Sequence, residues 1–198
     1  MSSAHTPKVP QVDENDIVDP QMRSVILEAA ETKSPPPSWY RTMANNVEVA
    51  KEFARYWDLL HRGGEVPHRI KELCRIQIAQ MVGCEFCSRQ TSPAADIVEV
   101  ERLSCALPEW EHPDPATRAA LHFARTLTLD DGRDADVYAE LKQHYSLSAI
   151  VELSAFFMLT MGGNRMAKSW AIEPEDGVSA IPVGAMSIKG PMAELADH

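Results

Sequence analysis

The chain has 198 residues, 44% of them hydrophobic, and a formal net charge of −10 with no basic block. That length suits one domain with tails and allows a real core, and the absence of clustered Lys and Arg excludes a surface that tracks nucleic-acid phosphates. Met1–Asp19 is polar and the later apolar stretches are broken by Glu, Thr or Gly, so neither a secretory signal nor a membrane span is predicted and the cytoplasm is the expected compartment.

Residues 1–18 read as a flexible lead, 19–175 as one helical domain and 176–198 as a tail. Asp19-Pro20 is an N-cap followed by Pro at the first helical position, and opens a short helix to about Glu31. Pro35-Pro36-Pro37 bars its continuation and leads into a turn at Ser38-Trp39-Tyr40. Asn45 or Asn46 caps VEVAKEFARYWDLL, where Val49, Phe53, Trp57 and Leu60 share one apolar face. His61-Arg62-Gly63-Gly64 ends that helix.

Pro67 starts the helix around which the chain is organised, KELCRIQIAQM, which runs amphipathically to about Met81. Gly83 breaks it, and Cys84 and Cys87 open a shorter helix to about Thr91. Ser92-Pro93 caps a further helix over Ala94–Leu103, and Ser104–Pro113 is a loop that holds Trp110 against the core. Asp114-Pro115 repeats the cap, and ATRAALHFARTLTL and DADVYAELKQHY follow as amphipathic helices. Ser146 or Ser148 caps the last long helix. Its AIVELSAFFMLTM is apolar nearly all round, as in a helix buried in a core or an oligomer interface. No strand pattern competes except at Val178–Ile188, so the fold class is all-α.

Of the four cysteines, Cys84 and Cys87 form a C-x-x-C pair about one helical turn apart. In a reducing compartment such a pair is redox-active or metal-binding more often than structural. Unpaired N–H groups at a helix start favour a thiolate. A thiolate that attacks a peroxide becomes a sulfenic acid, the neighbouring thiol condenses with it to a disulfide, and a reductant reopens the bond by exchange. A zinc site needs two further ligands, and Cys74, Cys105 and His112 supply no second pair. No metal or other cofactor is therefore expected. Cys74, on an apolar face, reads as a buried small hydrophobe, and Cys105 reads similarly.

Glu72 lies about 16 Å below Gly83 along the organising helix, at roughly 1.5 Å per residue. A Cys helix that doubles back antiparallel reaches the level of Glu72 near position 91. A carboxylate-to-thiol proton relay therefore wants a titrating group there, and the chain has Thr91.

The stretch KELCRIQIAQMVGCEFC at 71–87 resembles the AhpD-like alkylhydroperoxidases within the broader carboxymuconolactone decarboxylase superfamily. NNVEVAKEFARYWDLL upstream and the two segments around ATRAALHFARTLTLD and HYSLSAIVELSAFFMLTMGGNRMAKSW downstream extend the resemblance over about residues 36–175. It implies an AhpD-like helical bundle, assembled as a homotrimer or homohexamer, that acts on a small-molecule hydroperoxide and is re-reduced by a dithiol or disulfide reductant protein. It implies Cys87 as the peroxidatic cysteine, Cys84 as its resolving partner and Glu72 as the start of a proton relay. The family's histidines fall at Phe86 and Thr91, so two proton-handling groups are replaced, and His61, His68, His122 and His144 are the candidates to supply a base from elsewhere. Helix-dipole reasoning alone favours Cys84 as nucleophile; the resemblance assigns Cys87. Two other functions remain open. One is a cofactor-free lyase or isomerase with a ring held by Trp39, Tyr40, Trp57 or Phe86 and protons moved by a His or Glu72. The other is a non-catalytic oligomeric binding protein.

Overall fold

A computed structural model of the chain describes residues 7–130, 132 and 134–172. Nine α-helices and no strand occur among them: α1 Pro20–Thr32, α2 Pro37–Met43, α3 Val47–His61, α4 His68–Met81, α5 Glu85–Arg89, α6 Glu99–Ser104, α7 Pro115–Leu129, α8 Asp134–Leu141 and α9 Leu147–Trp170. The all-α reading stands. The strand-like Val178–Ile188 and the 176–198 tail lie outside the described residues.

Several helix starts are set by the caps the sequence offers. Asp19, Asn46, Asp114 and Ser146 each accept the backbone N–H three residues on, which satisfies a donor the helix leaves free. Gly162-Gly163 does not stop α9, which runs on to Trp170 and ends where Ala171 turns left-handed. The predicted helix over Ala94–Leu103 is instead a 3-10 turn at Pro93–Ala95, a left-handed Asp96 and then the short α6. The lead is not loose from Lys8 onward: Lys8 donates to the Trp170 carbonyl and Val12 to that of Arg41, and Ile17 is buried.

The centre of the bundle is α4. It packs against α7, α9 and α5, with α3 and α6 alongside. Every residue from Ile70 to Met81 is buried, so α4 is not the half-solvated amphipathic helix its pattern suggests. Its polar residues face other elements and are bonded to them. Lys71 donates to the Gly63 carbonyl and to Glu152 at 2.8 Å; Gln77 and Gln80 donate to the carbonyls of Cys105 and Arg102 at 2.7 Å each. Buried polar groups are tolerated on these terms. On α3 the buried face is Ala50, Trp57, Leu60 and His61, and Val49 is exposed, one position off the face read from the sequence.

Two apolar clusters result. The larger is built from α3, α4, α7, α8 and α9 around Phe123, Phe156 and Phe157. The smaller joins α1, α2 and α5 and contains both C-x-x-C cysteines. By length and composition α9 is apolar enough to cross a membrane, but Leu153, Phe156 and Phe157 are fully buried in the larger cluster, where α9 acts as a core helix.

The α3–α4 turn is fastened by Glu152 of α9. Its carboxylate accepts from the backbone of Glu65 at 2.7 Å and Val66 at 3.3 Å as well as from Lys71. Gly64 sits at φ +84°, and a Cβ there would lie 2.3 Å from that carboxylate. Gly64→Ala is expected to lower stability by about 1–3 kcal/mol, seen as a reduced urea midpoint with an unchanged slope. An unshifted midpoint would mean that the turn does not depend on this approach.

Candidate functional site

The site begins with a carboxylate that never meets water. Glu72 has no exposed surface, although a Glu at that position of an amphipathic helix is ordinarily solvated. Arg75, one turn further along α4, grips it with two hydrogen bonds, Nε to Oε2 at 2.8 Å and Nη2 to Oε1 at 3.0 Å. His61, the last residue of α3, reaches Oε2 through Nε2 at 2.7 Å. The Ser92 backbone N–H donates to Oε1 at 2.8 Å. The level predicted for position 91 is thus occupied one residue later, by a backbone N–H and not a titrating side chain. Thr91 is half-buried and makes no hydrogen bond to Glu72 or to either cysteine.

These contacts fix charge states. Burial alone would raise the Glu72 pKa, but the Arg75 guanidinium and the His61 hydrogen bond outweigh it and hold the carboxyl well below the usual range. Burial pushes His61 down to about 4 against the pull of Glu72. His61 is therefore neutral and donates from Nε2, which leaves Nδ1 as an acceptor with no protein partner. Its ring stacks on Phe156 at 5.4 Å between centroids and meets His68 edge-on at 4.4 Å. His68 bridges the His61 carbonyl and the Ser92 hydroxyl at 2.9 Å each. His122 stands between Glu140 and Glu111 on another face, and His144 is exposed.

Arg75 carries the ionic pair to the cysteines. Its Nη1 donates to the Cys87 carbonyl at 2.8 Å and its Nη2 to the Gln90 carbonyl. Those carbonyls close the end of α5, where a helix leaves acceptors unmet. Cys84 is the N-cap of α5, and Cys84 and Cys87 are joined by a disulfide with Cα atoms 5.3 Å apart. The Cys84 sulfur accepts the Cys87 backbone N–H at 3.2 Å, the contact expected to favour a thiolate there. Cys87 alone of the pair lines a cleft. Cys74 and Cys105 are fully enclosed; burial raises the Cys74 thiol far above its ordinary value and pushes Cys105 up to about 12.

The cleft over Cys87 is narrow, with about 40 Å³ of room for the centre of a water-sized sphere. Trp39 from α2, Phe53 and Trp57 from α3 and Phe86 from α5 wall it, and α9 closes it with Thr160, Gly163 and Asn164. Trp39, Trp57 and Phe86 were all legible as ring-binding candidates; Tyr40 faces a different depression. Arg75, Thr160 and Asn164 were not singled out by sequence. For Arg75 the signal is its i,i+3 spacing from Glu72. The two α9 residues lie inside an apolar run and carry no such signal.

No protein-family profile matches the chain. An uncharacterized protein of Bacillus subtilis, YdfG, is 24% identical over 136 residues, 66% of this chain and 90% of its own length. Among solved structures, the debrominase Bmp8, as a cysteine-to-alanine variant in complex with 2,3,4-tribromopyrrole, superposes with TM-score 0.73 at 18% identity, covering 88% of this chain and 95% of its own. An uncharacterized peroxidase-related protein of Ralstonia eutropha, described as an alkylhydroperoxidase AhpD core, superposes with TM-score 0.71 at 20% identity, covering 87% and 95%. The chain has the AhpD-like, peroxidase-related fold, as its motif implied.

The buried pair makes stability depend on pH. Between its folded value of about 4 and its ordinary 6.5, His61 is protonated in the unfolded chain and not in the folded one. Glu72, held ionised, adds a slope of the same sign once the unfolded carboxyl protonates. Stability is thus complete above about pH 6.5 and falls on acidification, by about 3 kcal/mol down to pH 4. Urea unfolding across this range is expected to show the fall. His61→Gln, which keeps a donor for Glu72, should remove its upper part, and a slope unchanged in that variant would assign the effect to other groups.

Proposed function

We propose that the chain is a thiol oxidoreductase in which Cys84 and Cys87 cycle between dithiol and disulfide while reducing a small organic hydroperoxide. The observation that carries this reading is the sulfur–sulfur bond at the start of α5, with only Cys87 of the pair lining the aromatic cleft. In the first step the Cys87 thiolate attacks the outer peroxide oxygen. The S–O bond forms, the O–O bond breaks, and the alkoxide leaves and takes up a proton as the alcohol. The Cys87 sulfenic acid then condenses with the Cys84 thiol, which forms the disulfide and releases water. A dithiol reductant, expected to be a protein in a reducing cytoplasm, reopens the bond by exchange and is itself oxidised. Access to the cleft supports Cys87 as the sulfur that meets substrate. The N–H at the Cys84 sulfur suits Cys84 to its part in exchange.

In this scheme Glu72 and Arg75 are positioning residues. All of the Arg75 nitrogens are bonded, and through them the Glu72 charge fixes the carbonyl end of α5. Thr91 has no step. The expected trimer or hexamer finds a candidate surface in the exposed Leu147, Val151 and Met158 of α9 and Val49, Tyr56 and Leu59 of α3.

A second reading, reductive dehalogenation of a small aromatic ring, is favoured by the four aromatic walls around Cys87 and by the likeness to a debrominase. It uses the same pair: an aryl bromide and two thiols give the arene, bromide, a proton and the disulfide.

Stopped-flow mixing of the reduced protein with cumene hydroperoxide is expected to consume two thiols per peroxide. Peptide mapping should place the new bond at Cys84–Cys87, with Cys74 and Cys105 untouched. Cys87→Ser should slow the reaction by about 100-fold or more, and Cys84→Ser should stall after one turnover at a trappable sulfenic acid. Peroxide left unconsumed rejects this reading. With tribromopyrrole as substrate, bromide release in step with disulfide formation supports the second reading, and thiol pairs that survive both reagents reject both.

A further inference from the structure

The cleft over Cys87 is apolar in its walls yet carries buried polar atoms that nothing in the protein satisfies. Trp39 Nε1, Gln90 Nε2, Thr160 Oγ1 and Asn164 Nδ2 have no hydrogen-bond partner, and all four residues line the cleft. They are 3%, 6%, 1% and 5% exposed. A buried donor left unmet costs about 1–3 kcal/mol, so four around one small space are informative. The indole is the most telling, since its N–H donates and never accepts, whereas the hydroxyl can do either and an amide can turn its oxygen inward. An acceptor seated beside Trp39 would satisfy it.

Charge narrows the class further. Arg75 is the one charged residue in the lining, and its charge is already matched by Glu72, with every guanidinium nitrogen committed. No free cation awaits an anion, and no carboxylate awaits a cation. The walls are the faces and edges of Trp39, Phe53, Trp57 and Phe86, which suit a flat or compact apolar body. The narrowness of the cleft limits that body to about the size of one ring.

We propose that the Cys87 cleft is a binding site for a small neutral molecule with one apolar body and one acceptor oxygen, the oxygen held by the indole N–H of Trp39 with the Asn164 amide beside it. This rests on, and narrows, the substrate class of the proposed redox site, but the binding it describes does not require the chemistry to occur. The two amino acids come from α2 and α9, helices whose contact here is made through Trp39 itself: its ring stacks on Trp170 at 5.5 Å and a Cβ at Gly163 would meet it at 3.9 Å. The ring is thereby held in place, and its N–H is preorganised for a ligand oxygen.

The test separates binding from turnover by using the oxidised protein, in which the disulfide is closed. Acetophenone (ring with a neutral acceptor), ethylbenzene (ring alone) and benzoate (ring with an anion) are titrated by protein-observed NMR. Acetophenone is expected to bind most tightly, with shifts at the Trp39 indole N–H. Trp39→Phe, which keeps the apolar ring and removes the N–H, should weaken acetophenone by about five- to tenfold and leave ethylbenzene unchanged. Asn164→Leu should weaken acetophenone in the same direction, and it guards against a Trp39 variant that fails to fold. Equal binding of ethylbenzene and acetophenone, a preference for benzoate, or Trp39→Phe binding acetophenone as the parent does would each overturn the proposal. Acetophenone binding as expected in a protein whose reduced form ignores hydroperoxides would retain the site and reject the peroxidase reading. Hydroperoxide turnover with no binding preference would do the reverse.

Discussion

The Glu72–Arg75 pair is the constraint from which the rest of the site follows. Two opposite charges are sealed inside the bundle, and that is costly unless every lone pair and every N–H is used. Here both carboxylate oxygens and four of the five guanidinium N–H groups are used. The carboxylate takes Arg75 twice and His61, the Ser34 hydroxyl and the Ser92 backbone once each; Arg75 also donates to the carbonyls of Cys87 and Gln90. The pair thereby ties four separate pieces of chain together: the link between α1 and α2, the end of α3, α4 itself and both sides of the turn that follows α5. Removing one member would leave the other charged and buried, which costs about 3–5 kcal/mol. The arrangement is thus self-enforcing, and it sets where the disulfide sits without touching a sulfur.

Much of this was legible, and where it was not the reason is physical. Caps and prolines marked most helix starts because they act locally, within one turn of the chain. The C-x-x-C pair stood out for the same reason. The antiparallel return after Gly83 could be placed to within one residue from helix rise alone, since Ser92 arrives where position 91 was expected. Hidden from view was the inner polarity of α4. A pattern of Lys71, Glu72, Arg75, Gln77 and Gln80 among apolar residues looks like a solvated face, and only tertiary partners reveal that each is bonded inward. His61 was hidden differently. It reads as helix-ending punctuation before two glycines, although it continues the Trp57–Leu60 face at helical spacing and so points into the core. Its partner Glu72 lies on the next helix, beyond the reach of periodicity.

Helix-dipole reasoning and the family assignment of the nucleophile point to different cysteines, and the two sulfurs have different properties. At Cys84 the structure concentrates the N-terminal hydrogen bond of α5, which lowers the cost of a thiolate. At Cys87 it provides the opening. Within the proposed reading, a dithiol with these two properties meets its small molecule through the cleft at Cys87. The enclosed Cys74 and Cys105, whose protons burial holds on, stay out of that exchange.

The replaced histidines then pose a chemical question that the cleft itself answers within the proposed reading. Cleaving the O–O bond puts negative charge on the departing oxygen, and a nearby acid normally meets it. Phe86 and Thr91 supply no such acid, Glu72 is held ionised, and His61 is neutral with its proton committed to Glu72. What the cleft does hold is fixed donors in an apolar surrounding, the Trp39 indole first among them. Preorganised N–H groups stabilise a developing oxyanion without transferring a proton, and they do so best where water is scarce. A site built this way shifts the burden from acid catalysis to hydrogen bonding. It also ties rate to how well the leaving oxygen seats against Trp39, so that substrate choice and chemistry are set by the same few atoms.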